Sequence, residues 1–236
     1  MTVTKPERPH AEPPRCLHEL ALRAAALSGR CLAELERELA SESVGPMLRR
    51  KGKTGQLIER ALGASAGSLS MPDFRELGVE LKTIPVDADG KPLESTFVCT
   101  LSLSEVDVAE WQTSRVREKL AHVLFVPIVQ DQRVRGGRPT LGQPLFWQPT
   151  PEQESVLRGD FDDLVGMIAL GQIEALTARL GHWLQVRPKA AHGRVRTRAY
   201  AADYEPVETI PRGFYLRSRV THALLQDARS LAHAPE

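Results

Sequence analysis

The chain has 236 residues, of which 42% are hydrophobic and 26% charged, and its formal net charge is +1. This length accommodates one large domain or two lobes that share a core, and the composition is that of an ordinary globular protein. No apolar run is long enough to span a membrane, and the first residues lack the apolar stretch of a signal peptide, so we expect a cytoplasmic location.

Residues 1–14 are rich in charges and prolines and are predicted to form a disordered tail. Apolar positions at helical spacing then predict helices at 17–27, 32–39 and 53–62, with a loop at 41–50. A strand is predicted at 79–86, a turn at Asp89-Gly90, and a second strand at 95–103.

The remaining elements alternate between helices and strands. They are a helix at 111–120, strands at 122–129 and 145–147, the longest helix at 151–176, a strand at 183–186, a basic loop, a strand at 214–216 and a closing helix at 220–231. This order predicts a mixed α/β fold with a strand-rich centre and helices on both sides. Three widely spaced cysteines predict free thiols.

Basic residues are concentrated locally although the chain is nearly neutral. Five lysines or arginines and no acid lie between residues 187 and 202, and smaller clusters lie at 49–53 and 133–138. Such patches favour a partner with phosphates, as in nucleic acid. Each patch taken alone is equally consistent with a solvated loop.

The segment DFRELGVELKTIPV, residues 73–86, places two charges inside a predicted strand. Because side chains alternate across a strand, Glu80 and Lys82 point to one face, roughly 7 Å apart along the backbone, and Leu81 points to the other. One interpretation is a solvent-facing salt bridge, which contributes little to stability. The other is a functional site held rigidly by a buried strand.

Asp73 adds a second carboxylate, which favours the functional interpretation. Mg²⁺ prefers hard oxygen ligands and keeps several waters, so two carboxylates and a backbone carbonyl suffice to bind it. The candidate ligands are Asp73, Glu80 and the carbonyl of Leu81, while Lys82 would face the metal-bound water or a phosphate. This arrangement suits hydrolysis of a phosphodiester.

The words around these residues are more specific than their spacing. Pro72-Asp73 together with Glu80-Leu81-Lys82 matches the PD-(D/E)xK signature of the restriction-endonuclease superfamily. The chain closely resembles the MutH family, strand-nicking endonucleases of methyl-directed mismatch repair, in the runs KGKTGQLIERALGASAGS, GVELKTIPVDADGKPLESTFVC, TSRVREKL, IALGQIE, WLQVRPKAA and IPRGFYL. The likeness covers nearly everything from Lys51 to Leu225.

The resemblance implies a restriction-endonuclease-like α/β fold, with a mixed central sheet flanked by helices and two lobes around a DNA-binding cleft. Residues 15–236 would form one endonuclease domain, with a catalytic lobe at about 15–120 and a DNA-recognition lobe at about 121–236. By similarity, Asp73 and Glu80 are metal ligands and Lys82 is the catalytic lysine.

Three further residues match family positions at or near the active site. Glu59 would complete the active site from the preceding helix, with an ordinary exposed helix charge as the alternative. Lys51 and Lys119 would approach the active site or the DNA backbone, and a plain surface lysine is the alternative for each.

DNA reading is placed by the resemblance in the second lobe. Members of the MutH family recognise GATC and cut 5′ to its G on the unmethylated strand. Arg187, Pro188 and Lys189 match the recognition site, and arginine and lysine suit O6 and N7 of guanine in the major groove. Tyr215 matches a tyrosine near the adenine whose methylation blocks cutting, with a core aromatic as the alternative.

The implied activity is that of a monomeric, Mg²⁺-dependent DNA endonuclease acting on hemimethylated or unmethylated GATC, with Mn²⁺ or Ca²⁺ able to replace Mg²⁺ in binding. Its partners would be double-stranded DNA, the stimulating ATPase MutL and, indirectly, MutS. A restriction-type endonuclease that cuts both strands and a DNA-binding module without catalysis are the alternatives. The loop at 192–207 and Glu118 depart from the family pattern.

Overall fold

The structure is a computed structural model that describes residues 12–41, 53–65, 71–103, 110–130, 137–190, 194–201 and 205–232. The helices in these ranges are α1 (Leu17–Ala26), α2 (Leu32–Ser41), α3 (Lys53–Leu62), α4 (Arg115–Leu120), α5 (Pro151–Ala169) and α6 (Ser218–Ala232). The strands are β1 (Glu80–Val86), β2 (Thr96–Leu101), β3 (Val123–Val129), β4 (Thr140–Leu141), β5 (Leu145–Trp147), β6 (Leu184–Pro188), β7 (Thr197–Tyr200), β8 (Pro206–Thr209) and β9 (Arg212–Leu216). The predicted mixed α/β class is confirmed, with the described strands distributed over three sheets.

The first compact unit comprises Met1–Lys91 and Val123–Phe146. In its sheet, β1 runs parallel to β3, and β3 also pairs with β4 and β5. Helix α3 packs against β1 because its apolar side chains enter a buried cluster with residues of that strand. Members of this cluster include Leu20, Leu57, Ile58, Leu62, Phe74, Val79, Leu81, Leu124 and Val126. The core therefore lies behind the strand that carries Glu80 and Lys82.

The second unit comprises Pro92–His122 and Trp147–Glu236. Its main sheet is antiparallel, in the order β2-β9-β6, and a separate two-stranded sheet is formed by β7 and β8. One face of the main sheet packs on α5, where the rings of Phe161 and Phe214 stack with their centroids 5.7 Å apart. Helix α5 begins at Pro151 because Thr150 caps its N-terminus and forms a capping box with Gln153 in the first turn.

Two predicted helices are shorter in the structure. The segment 111–120 is a 3-10 turn, Trp111–Thr113, followed by α4, because the hydroxyl of Ser114 accepts a hydrogen bond from the Arg117 N–H and starts a new helix there. The segment 151–176 ends as a helix at Ala169, after which Gly171 adopts a φ of 69°. A left-handed residue at this position closes the last turn.

The predicted basic loop contains structure that its sequence did not reveal. Strands β7 and β8 form an antiparallel hairpin within residues 192–207 and just beyond them, with Arg198 opposite Glu208. The hairpin escaped sequence reading because both strands are short and only Ala199 and Thr209 are buried in it. The loop was predicted at 41–50, but Ser41 is the last residue of α2. Residues 42–50 of that loop, residues 1–11 of the predicted tail and Lys51 lie outside the described residues.

The two units are discontinuous along the chain, whereas the predicted lobes were continuous: β3 belongs to the first unit and residues 92–122 to the second. The assignment of one lobe to catalysis and the other to DNA recognition stays a prediction. None of the described helices is both long and apolar enough to cross a membrane.

Candidate functional site

A tight hairpin brings Asp73 to β1. Phe74 and Val79 exchange two backbone hydrogen bonds, with N···O distances of 2.9 and 3.3 Å, and a 3-10 turn at Arg75–Leu77 connects them. Gly78 completes the turn at a φ of 63°, a left-handed conformation that favours glycine. Since Phe74 lies opposite Val79, the next pair outward is Asp73 opposite Glu80. The six residues that separate Asp73 from Glu80 in the sequence, 74–79, are therefore the residues of this hairpin.

Asp73 is fixed through both its side chain and its backbone. Its Oδ2 accepts a hydrogen bond from the Leu81 N–H at 2.8 Å, and its carbonyl accepts one from the Ser65 N–H, just beyond α3, at 3.0 Å. The N–H and C=O of a strand residue point to the same side, so the carbonyl of Leu81 also lies on the side of Asp73. These contacts place the Asp73 carboxylate and the Leu81 carbonyl on one side of β1, whose first residue is Glu80.

Glu80 and Lys82 form a buried ion pair. The Lys82 Nζ lies 2.6 Å from Glu80 Oε1, and the side chains are 12% and 6% exposed, respectively. The interpretation as a solvent-facing salt bridge is therefore wrong, because both side chains are largely buried. The cost of desolvating the two charges offsets much of their Coulomb attraction. Such a pair is weak evidence for stability, and its burial favours a role in chemistry.

The donor set fits a hard divalent cation. Among the described residues, no group of three or more histidines, cysteines, aspartates and glutamates is arranged to hold a metal. The predicted site asks for less, since two carboxylates and one carbonyl leave positions for the waters that Mg²⁺ retains. Asp73, Glu80 and the Leu81 carbonyl are the residues that would hold it, and their role as ligands stays a prediction.

Glu59 lies on α3, the helix that packs against β1. Its side chain is half-buried, and its Oε1 lies 3.7 Å from where a Cβ at Gly55 would stand, so the two positions share one face of the helix. The alternative of an ordinary exposed charge is not what the structure shows. A part in the active site stays a prediction for Glu59.

Lys119 belongs to α4 in the second unit and is only 7% exposed. The alternative of a plain surface lysine is therefore wrong for Lys119, because a lysine is almost never so buried without a specific interaction. Its function stays a prediction, as does that of Lys51.

One face of the β2-β9-β6 sheet carries the predicted DNA-reading residues. Tyr215 on β9 lies opposite Phe97 on β2 and opposite Gln185 on β6. The rings of Phe97 and Tyr215 meet edge to face with centroids 5.3 Å apart. We call this surface the aromatic–basic face, and it comprises Phe97, Gln185, Arg187, Lys189 and Tyr215.

Both predicted cations of this face lie over aromatic rings. The Arg187 guanidinium carbon is 5.8 Å from the Tyr215 centroid, and the Lys189 Nζ is 3.9 Å from the Phe97 centroid. Arg187 also donates to Ser95 Oγ at 3.3 Å, and Gln185 donates to the same atom at 2.6 Å. The ring contacts orient the long side chains of Arg187 and Lys189. Pro188, between them on β6, is exposed.

The Phe97 ring can lie over β9 because Gly213 has no side chain. A Cβ at Gly213 would come within 2.9 Å of both the Phe97 ring and the Cys99 carbonyl. Tyr215 itself is half-buried on the aromatic–basic face, so it is not an ordinary core aromatic. Burial raises the pKa of Tyr215, with Arg187 acting in the opposite direction, and the phenol therefore stays protonated at neutral pH.

Sequence reasoning missed Asp160, which positions the start of β6. Asp160 is 3% exposed on α5, and its carboxylate accepts hydrogen bonds from the backbone N–H groups of His182, Trp183 and Leu184 at 2.6, 2.5 and 2.8 Å. The signal was a carboxylate at an apolar position of the helix, three residues after Leu157 and four before Leu164. Phe97, Gln185 and Ser95 were also missed, since only the strand register brings them together.

Comparisons with known proteins find close relatives of this chain. A family model described as "DNA mismatch repair enzyme MutH" matches residues 62–160. A DNA mismatch repair protein MutH of Vibrio cholerae serotype O1 is 46% identical over 214 residues, which is 90% of this chain and 96% of the relative. Proteins of the same name from Yersinia enterocolitica serotype O:8 and Yersinia pestis are each 45% identical over 213 residues, covering 90% of this chain and 93% of each relative.

Replacement of Gly78 by alanine is expected to destabilise the protein by about 1 kcal/mol, because the left-handed conformation disfavours a Cβ. The same change at Gly29, whose φ is 78° with open space for a Cβ, is the matched control. Both variants should lose similar stability in denaturant unfolding. Only Gly78→Ala should raise the divalent-cation concentration needed for half-maximal DNA cleavage, and equal behaviour of the two variants would contradict this role of the hairpin.

Asp160→Asn should lower the free energy of unfolding by about 2–3 kcal/mol, since an amide cannot accept from all three backbone N–H groups. Asp163→Asn, at an exposed position of the same helix, should change it by less than about 0.5 kcal/mol. Urea unfolding of both variants measures the difference. A small effect at Asp160 would show that the loop before β6 is held by other contacts.

Proposed function

This chain belongs to the MutH family of DNA mismatch repair enzymes, and we propose that it nicks the unmethylated strand of hemimethylated GATC duplexes, 5′ to the G, with Mg²⁺. Membership makes the chain a DNA-binding endonuclease of mismatch repair with a restriction-endonuclease-like fold. The sequence specificity, strand choice and cation are the proposal.

The observation that carries the proposal is the hairpin closed by Phe74 and Val79, across which the Leu81 N–H, on the strand that carries the Glu80–Lys82 ion pair, donates to the Asp73 carboxylate. We assign Asp73, Glu80 and the Leu81 carbonyl to Mg²⁺. These residues would hold the ion, which would supply an activated water and neutralisation of charge on the phosphate. Mn²⁺ or Ca²⁺ would bind the same oxygen donors.

Lys82 has a separate role in this proposal. Its ammonium lies 2.6 Å from Glu80 Oε1, which fixes its position in a site from which most water is excluded. A fixed positive charge there stabilises the negative charge that develops on the phosphate oxygens during hydrolysis. Glu59 would contribute a further carboxylate from α3, and Lys51 and Lys119 are assigned to the active site or the DNA backbone.

The aromatic–basic face supports a role in reading the bases. Arg187 and Lys189 are oriented by ring contacts and would donate to O6 and N7 of guanine. Pro188 between them would contact the recognition sequence as a rigid element. The Tyr215 ring packs edge to face against Phe97 on the neighbouring strand, and this contact fixes its position. We expect the ring to lie near the adenine, where an added methyl group would clash with it.

The partners are proposed from family membership. Double-stranded DNA carrying hemimethylated or unmethylated GATC is the substrate, MutL stimulates the cut, and MutS acts indirectly through MutL. We propose a monomeric enzyme, because one active site per chain acts on one strand. The proposed location is the cytoplasm.

Asp73→Asn and Lys82→Met should each slow nicking of a hemimethylated duplex by at least about 100-fold, because each removes a charge that acts in the transition state. Lys91→Met, an exposed lysine of the same unit, is the matched control and should retain the wild-type rate. Duplex binding in Ca²⁺ verifies that the variants are folded. A wild-type rate in either active-site variant would refute the assignment.

The products from a plasmid test the strand choice. Open circles should accumulate first from unmethylated and hemimethylated plasmids, and a fully adenine-methylated plasmid should stay intact. Linear molecules at early times would instead indicate the restriction-type alternative. Cleavage mapped away from GATC would contradict the proposed specificity and leave the endonuclease activity intact.

A further inference from the structure

The hairpin of β7 and β8, here called the β7–β8 arm (described residues 194–201 and 205–209), is inserted between the two strands that carry the aromatic–basic face. Strand β6 precedes it and β9 follows it, and Pro188 pairs with Arg212 where they meet. The Lys189 N–H donates to the Pro211 carbonyl at 2.6 Å and closes the base of the insertion. The arm is thus rooted at the edge of that face.

The arm has a basic strand and an acidic strand. The β7 side carries Arg194, Arg196 and Arg198, and the β8 side carries Glu205 and Glu208. The three arginines are exposed, while Val195 and Thr197 between them are half-buried and Ala199 after them is buried. Of the three, Arg198 lies on β7 and Arg196 just before it, two residues apart or about 6.5 Å along an extended chain.

Contacts within the arm leave its basic side directed outward. The guanidinium of Arg198 lies over the Tyr200 ring, 5.5 Å from its centroid, and Arg196 donates to the neighbouring Val195 carbonyl at 3.1 Å. Arg198 is in register with Glu208 on the other strand, which fixes the pairing of the two strands. An arginine guanidinium suits phosphate oxygens, which it can bind in pairs.

We propose that the β7–β8 arm binds backbone phosphates of the DNA duplex outside the recognition sequence. The proposal rests on the proposed function, because it needs Arg187 and Lys189 to occupy the recognition sequence while the arm extends from their edge. Phosphate contacts made by such exposed arginines supply affinity and no base readout. The arm is therefore a clamp on flanking DNA.

This role has two measurable consequences. Each phosphate neutralised by the arm contributes about 0.9 to the slope of log affinity against log salt concentration. The contribution should be the same for GATC and for other sequences, because phosphates carry no sequence information directly. It should also require flanking DNA, so a duplex of about one helical turn, roughly 10 base pairs, should lack it.

The test compares the double variant Arg196→Gln/Arg198→Gln with the wild type in binding to duplexes of about one and about three helical turns. Fluorescence anisotropy over a range of salt, in Ca²⁺, gives the slopes without cleavage. On the longer duplex the double variant should lose about 2 from the magnitude of the slope. On the shorter duplex the two proteins should bind alike.

Two control variants complete the design. Arg158→Gln removes an equally exposed arginine from α5, which packs on the other face of the sheet, and should keep the wild-type slope. Glu208→Gln removes negative charge from the arm and should tighten binding to the longer duplex. All substituted positions are exposed, so unchanged thermal unfolding midpoints verify that the arm variants are folded.

Several outcomes would overturn the inference. They are an unchanged slope in the double variant, an equal loss on both duplexes, or a loss confined to duplexes containing GATC, which would make the arm a base reader. The proposed function is judged separately, by whether the wild type nicks hemimethylated GATC. A protein that does not nick there can still show or fail to show the arm's salt dependence.

Discussion

The hydrogen bond from the Leu81 N–H to the Asp73 carboxylate is the contact on which the candidate active site depends. It joins the two sides of a short hairpin and holds the carboxylate at the strand that carries the Glu80–Lys82 pair. Behind the strand, Val79 and Leu81 are buried with α3, so the charged groups stand on a backbone that cannot shift without disturbing the core. Such support holds the side chains of a candidate site in a fixed geometry.

The second unit uses the same principle on a different sheet. Phe214 faces α5 and the core, while its neighbour Tyr215 faces outward and meets Phe97 and Arg187. Alternation along β9 thus separates stability from recognition at adjacent residues. Asp160 links the two, because its buried carboxylate fixes the backbone just before the strand that carries Arg187. Rigid presentation of a few polar groups is what discrimination between bases requires.

Sequence reading located most elements and failed where the deciding interaction was weak or distant. The strand at 79–86 and the helix at 53–62 were found because their apolar positions repeat regularly. The helix at 151–176 was extended too far, since periodic apolar residues continue past Gly171 although the backbone turns there. The β7–β8 arm was read as a loop because its short strands bury little, so hydrogen bonding between them carries the structure.

The sequence by itself determined the local arrangement of Asp73, Glu80 and Lys82, together with the family, because a hairpin spacing and strand alternation act over a few residues. Tertiary structure alone decided which charges are buried. Neither the low exposure of Lys119 and of the Glu80–Lys82 pair nor the three amides gathered by Asp160 follows from neighbouring residues. Tertiary structure also brought Phe97 to Tyr215, since they meet across strands that are remote in the chain. Burial and strand register depend on residues that are distant in the chain, whereas sequence patterns indicate only interactions between residues that are close in it.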